Sequence, residues 1–259
     1  MWLNNYSLCA PTAKLFATIT IMNESYNRSI ATHYSSYRPP LHQTILKRVF
    51  DDQEVFLKGL DVGCGTGYSA AALSDYCLHV YGIDPSQSML DDSTPHEKIS
   101  FLRGRGEELP LADRLIDAVT FAGSLFYAKS NALIDELKRV CVRSAPIVAY
   151  DFEVLFGDIL KPYEPIFEAN DASYDHKINF SDSDDFEEIH VGRDQIEIIV
   201  SASELTHLLL SGAERFELFK QIFKTSEPFS ALRKELQAKK DRCVLDANIY
   251  YARYQLRTK

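Results

Sequence analysis

The stretch "LDVGCGTGYSA", residues 60–70, places Gly63, Gly65 and Gly67 within five positions, directly behind apolar residues. Glycine loses more backbone freedom on folding than any other residue, so such a cluster marks a tight turn or a close approach to a ligand. Ahead of it, "VFLKGLDVG" (55–63) reads as a buried strand that ends at the turn. Behind it, "YSAAALSDYC" (68–77) reads as a short Ala-rich helix.

The same rhythm continues downstream. "LHVYGID" (78–84), "ISFLRG" (99–104), "LIDAVTFAG" (115–123) and "APIVAYDF" (145–152) read as strands. "SQSMLDD" (86–92), with Ser86 as N-cap, and "NALIDELKRVC" (131–141) read as helices. Alternating strands and helices of this kind predict an α/β fold, a doubly wound Rossmann-like sheet, mostly parallel, with helices on both faces. "NIYYARYQL" (248–256) reads as an antiparallel edge strand on that sheet. "IHVGRDQIEIIV" (189–200) reads as a further strand, and "SASELTHLLL" and "AERFELFKQIF" as helices. Residues 1–21 are expected to be an N-terminal extension, and 22–259 a single domain with a substrate-side insertion near 154–185. That insertion holds Tyr163, Phe167 and Tyr174, as pocket lining or as packing, and leads into the acidic run 181–188, read as a solvated loop.

Composition narrows the function. The net charge of −9 lacks the basic footprint of a nucleic-acid binder. Five dispersed cysteines form no CxxC pair, which argues against a disulfide framework and for a reducing, cytoplasmic setting. No Cys/His spacing supports a metal site. The N-terminal stretch is a poor signal peptide and too short to span a membrane.

Two cofactor classes compete for a glycine turn at this place. The dinucleotide fingerprint GxGxxG requires glycine where Tyr68 stands, and the phosphate loop GxxxxGK[ST] requires lysine there. Asp84 ends the second strand, 21 residues beyond Gly63, where a carboxylate accepts hydrogen bonds from ribose hydroxyls. The pattern therefore fits a ligand with a free ribose and adenine that need not carry a pyrophosphate.

"LDVGCGTG", "GIDPSQSML", "GRGEELPLADRLIDAVTFAGSLFY" and "ALIDELKRV" stand in order and resemble the successive motifs of the class I S-adenosylmethionine-dependent methyltransferases, in their small-molecule branch. "ATHYSSYRPPLHQTIL" (31–46) resembles the lead-in of many such enzymes. The resemblance covers residues 26–152 and implies S-adenosyl-L-methionine as cofactor and a small-molecule acceptor. It further implies that Gly63 and Gly65 approach the methionine moiety and that Asp61 helps organise its amino group. Asp84 would bind the ribose, Met89 would pack near the adenine, and Gly106 and Glu107 would flank the adenine edge. Phe121 and Ala122 would line the floor. Tyr34 and Arg38 would close over the methionine end, within a lid at 33–40; for Arg38 the alternative is a surface ion pair.

Three departures stand out. Arg105 replaces the acidic residue that many relatives carry before the adenine contact. "RSAP" (143–146) replaces a Pro-Gly-Gly turn, and Phe126 stands where relatives with the pattern SLHW carry histidine. Tyr34, Tyr127 and His207 are the candidates for a general base. A non-catalytic methyltransferase-like binding or interaction protein is the alternative reading.

Overall fold

The computed structural model describes residues 28–163 and 174–257. The expected extension at 1–21, and Phe167 within the expected insertion, lie outside the described residues. The chain divides into two compact units, one of residues 38–199 with 244 onward, the other of residues up to 37 with 200–243.

The larger unit is built on a seven-stranded sheet in the order β3-β2-β1-β4-β5-β7-β6. Its strands are β1 (Phe56–Val62), β2 (Cys77–Asp84), β3 (Ile99–Arg103), β4 (Ala118–Ala122), β5 (Ile147–Val154), β6 (Phe186–Ser201) and β7 (Arg242–Leu256). β1 pairs in parallel with both β2 and β4, so strand order reverses at β1. β7 runs antiparallel to β5, and β6 continues the sheet beyond it. Ligand sites of open α/β sheets lie at such a reversal, outside the carboxyl ends of the strands.

Alternate residues of β1 serve the two faces. Leu60 and Val62 join a core with Val119, Phe121 and the inward side of an amphipathic helix. That helix, Asn131–Val140, buries Leu133, Ile134, Leu137 and Val140, and Ser130 caps it by accepting the Leu133 amide at 3.2 Å. On the other face, a Cβ at Gly59 would stand 2.6 Å from Cys77 Sγ and 3.0 Å from Leu73. Leu73 ends the helix Tyr68–Leu73 that follows the glycine turn. The helix Gln87–Asp91 starts at Ser86 as expected, with the Met89 amide bonded to Ser86 Oγ.

β4 begins three residues later than its sequence suggests. The Asp117 carboxylate accepts the Leu57 and Lys58 amides at 2.8 and 2.7 Å, and its own amide donates to Lys58 O at 3.0 Å, so Asp117 clamps the start of β1.

Among the described residues the smaller unit holds four helices: Arg28–Ser36, Ala202–Leu210, Ala213–Phe223 and Phe229–Lys239. Ser201 and Glu204 form a capping box at the second. His33 is buried, its ring stacked on Phe229 at 5.4 Å and its Nδ1 3.0 Å from His207 Nδ1. The expected lid stretch is thereby divided. Residues 33–36 close the first helix, and Pro39 and Pro40 precede the helix Leu41–Val49 of the larger unit. Among the described residues no helix is long and apolar enough to cross a membrane.

Gly67 has a φ of +92°, and a Cβ there would stand 2.6 Å from Phe101 Cζ. Backbone strain and overpacking then act together in Gly67→Ala, which should lose about 2 kcal/mol or more of stability in urea unfolding. Gly157 has an ordinary φ and open space around it. Gly157→Ala should be near neutral, and equal losses in the two variants would contradict this account of the turn.

Candidate functional site at the strand carboxyl ends

Three backbone hydrogen bonds shape the turn after β1. The Gly63 and Cys64 amides both donate to Ile83 O, at 2.7 and 3.1 Å, and the Gly67 amide donates to Cys64 O at 2.9 Å. Gly63, Gly65 and Gly67 all take positive φ, at 72°, 54° and 92°. Each does so against different surroundings. A Cβ at Gly63 would run into Ser124, whose hydroxyl donates to Val62 O. At Gly67 it would strike Phe101, so this glycine serves packing. At Gly65 it would meet nothing within 4 Å among the described residues. Gly65 alone of the three faces open space.

Asp84 ends β2 and is 8% exposed. Its Oδ2 accepts the Gly65 amide at 2.9 Å, and its Oδ1 accepts the Ser86 amide at 2.8 Å. Each carboxylate oxygen has two lone pairs, so acceptor capacity for further hydroxyls remains on both. Met89 is half-buried in the first turn beyond Ser86. Arg105 and Glu108 bridge a tight turn. Gly106 is buried within that turn, where a Cβ would stand 2.9 Å from Leu133 Cδ1, and Glu107 is exposed.

Asp61 lies beneath the turn, fully buried. Its carboxyl accepts Ser69 Oγ at 2.5 Å and Thr120 Oγ1 at 2.8 Å, tying β1 to the following helix and to β4. Burial pushes its pKa up to about 6; the two hydroxyls oppose the shift, and the charge on Asp84 adds to it. Cys64 is also buried, and desolvation raises its thiol pKa, the state of an inert filler.

The remaining sequence-derived residues fall in different places. Phe121 is fully buried with its ring against Phe180, so its contact with any bound molecule runs through the backbone; Ala122 is half-buried at the end of β4. The Arg38 guanidinium lies 5.5 Å from the Phe152 ring centre, beside His42. Burial lowers the His42 pKa to about 3, and its Nδ1 lies 3.1 Å from Tyr150 Oη. Tyr34 and His207 belong to the smaller unit, and burial lowers the His207 pKa. Tyr127 is 63% exposed, with its ring centre 5.9 Å from that of Tyr174.

Sequence reading missed one cluster at this end of the sheet. Asp151 on β5 accepts His176 Nδ1 at 2.7 Å and Tyr174 Oη at 2.9 Å, both on Oδ2. Its Oδ1 accepts the Phe152 amide at 2.7 Å. Tyr174 Oη also lies 2.8 Å from Gly123 O, the residue beyond β4. Gly123 has a φ of +71°, and a Cβ there would stand 3.0 Å from Asp151 Oδ1. No local pattern marks His176, because the carboxylate it bonds lies 25 residues away in sequence.

Residues 60–148 match the family model described as a methyltransferase domain. The chain is 26% identical over 133 residues to the probable S-adenosylmethionine-dependent methyltransferase CRG1 of Saccharomyces cerevisiae, which covers 48% of this chain and 45% of that protein. A demethylmenaquinone methyltransferase of Clavibacter sepedonicus is 33% identical over 98 residues, 36% of this chain and 40% of its own length. The chain spans about half the length of the curated relatives it matches. Among solved structures, a candidate type II methyltransferase from Anaeromyxobacter dehalogenans has a TM-score of 0.60 at 15% identity, covering 85% of this chain and 98% of that one. At that identity the likeness is one of fold.

The buried carboxyl makes a prediction. Asp61 in the folded protein binds its proton more tightly than at its ordinary value of 3.8. The folded state then holds more protons between pH 4 and 6, and this contribution to stability is lost as pH rises through about 6. Asp61→Asn, compared with wild type in thermal unfolding from pH 4 to 7, should remove that decline. Parallel pH profiles for the two proteins would contradict it.

Proposed function

Starting from residues 60–148, which match a methyltransferase domain model, we propose that this protein is an S-adenosylmethionine-dependent enzyme that transfers a methyl group to a small-molecule acceptor. S-adenosyl-L-methionine is the cofactor of this domain class, and when bound it supplies a methyl group already activated on a sulfonium. The protein's own work is then to bind, orient and exclude water. Proximity and orientation contribute on the order of 7–11 kcal/mol to such reactions.

The observation that carries this reading is the pairing of Gly65 with Asp84. Gly65 opens onto space that any side chain would fill, and the carboxylate that fixes its amide keeps acceptor sites for a ribose. In this reading Gly63 and Gly65 meet the methionine moiety, and Met89, Gly106 and Glu107 surround the adenine. Asp61 acts from beneath through the turn. Tyr34 and Arg38 are assigned to the methionine end on the resemblance alone. The cysteines among the described residues are free thiols, in keeping with a cytoplasmic setting.

Calorimetric titration with S-adenosylhomocysteine, with NAD as the competing ligand class, tests the reading. Wild type should bind the former and not the latter. Gly65→Val fills the open space, and Asp84→Asn removes the charge while keeping one acceptor oxygen. Each should lower affinity at least tenfold, with the circular dichroism of the fold retained. Preference for NAD, or unchanged affinity in both folded variants, would overturn the proposal.

A further inference from the structure

We propose that the recess formed by His176 and residues of β5, β6 and β7 receives the methyl acceptor, that this acceptor is a small hydroxylated acid, and that His176 takes its hydroxyl proton. This rests on the methyltransferase reading and deepens it.

A line of contacts leads from the glycine turn to the recess. Gly63 abuts Ser124, the next residue is Gly123, and Gly123 O lies against Tyr174 Oη. Tyr174 and His176 then meet on the same Asp151 oxygen. A carboxylate accepts only, so His176 Nδ1 carries the hydrogen and Nε2 is the basic nitrogen. The Asp151 side chain is 15% exposed and that of His176 31%. Asp151 and Tyr174 are positioning residues: they fix the tautomer and the plane of the ring.

The lining of the recess selects charge. His176, Lys177, Arg193 and Tyr250 line it, and no carboxylate stands among its described lining residues. Tyr250 pairs with Asp151 across β5 and β7. The His176 ring lies parallel to the Tyr250 ring, with centres 6.2 Å apart. Arg193 and Lys177 stand 5.2 and 5.9 Å from the Tyr250 ring centre. Two cations around an aromatic floor fit an acceptor that carries a carboxylate. The basic nitrogen points to the nucleophile. A neutral amine already has a lone pair to attack with, whereas a hydroxyl must lose its proton. As the acceptor O–H bond breaks, the proton passes to Nε2. The oxygen electron pair forms the new bond to the methyl carbon, and the sulfur–methyl bond breaks with its electrons left on sulfur. Asp151 holds the resulting imidazolium until water takes the proton.

The test uses full-length protein with 15N-labelled histidine, saturated with S-adenosylhomocysteine. Failure of that saturation by calorimetry overturns the methyltransferase reading and not the tautomer of His176, which is measured independently. The nitrogen shifts of His176 should show the Nδ1–H form, and Asp151→Asn should redistribute it; an Nε2–H form in wild type overturns the proton role. Glycolate, salicylate and 4-hydroxybenzoate are the probes, with their amides as controls. At least one acid should shift the His176 ring signals, with affinity at least fivefold weaker in Arg193→Gln and S-adenosylhomocysteine affinity unchanged. Silence from all three acids, or equal shifts from the amides, overturns the acceptor site. With S-adenosylmethionine, mass spectrometry should find methyl transfer to the bound acid, reduced at least a hundredfold in His176→Asn. No transfer by wild type, or an unchanged rate in the variant, overturns the assignment.

Discussion

The hydrogen bond from the Gly65 amide to Asp84, 2.9 Å long, joins the turn after β1 to the end of β2. The same carboxylate holds the Ser86 amide, and Ser86 caps the next helix. One side chain therefore positions the glycine turn, the close of a strand and the start of a helix. Left-handed backbone is costly for residues with a Cβ, and here it occurs three times in five residues. Two of those glycines have their reason inside the protein, Gly63 against Ser124 and Gly67 against Phe101. Gly65 meets no described atom within 4 Å, and in the proposed function its reason is the bound ligand.

Asp61, Asp84 and Asp151 stand on β1, β2 and β5, and their surroundings give them different work. Asp61 lies in full burial, which favours its protonated form against the pull of two hydroxyl donors, and those hydroxyls make it a tie between β1, β4 and a helix. Asp84 meets backbone amides at the rim of the turn. Asp151 meets an imidazole and a phenol beside the end of β4. Three acids of one kind thus divide into a structural tie, a clamp on the glycine turn and a partner for an imidazole.

The strands around the turn were legible because their apolar runs are bounded by glycine, proline and capping residues. Ser86 and Ser130 act as N-caps where local side-chain chemistry decides the helix start. The helix Phe229–Lys239 went unread. It buries Leu232 and Leu236 and packs the ring of Phe229, too sparse a stripe to stand out beside its many charges. Asp117 was read as part of a strand because nothing nearby shows that its partners are the amides of Leu57 and Lys58, 60 and 59 residues away. The Asp151–His176 pair was hidden for the same reason. Phe126 drew attention as a missing histidine. Its ring packs on Tyr174 at 4.7 Å, and Tyr174 packs on His176 at 4.7 Å, so the imidazole near this position comes from a distant segment.

The account turns on Gly65 facing a bound adenosyl ligand. Backbone amide spectra of the 15N-labelled chain, recorded as S-adenosylhomocysteine is added to saturation, test this most directly. The account predicts that the amides of Gly63, Gly65 and Ser86 shift together along one binding curve. Saturation that leaves all three unmoved while amides elsewhere shift would contradict it.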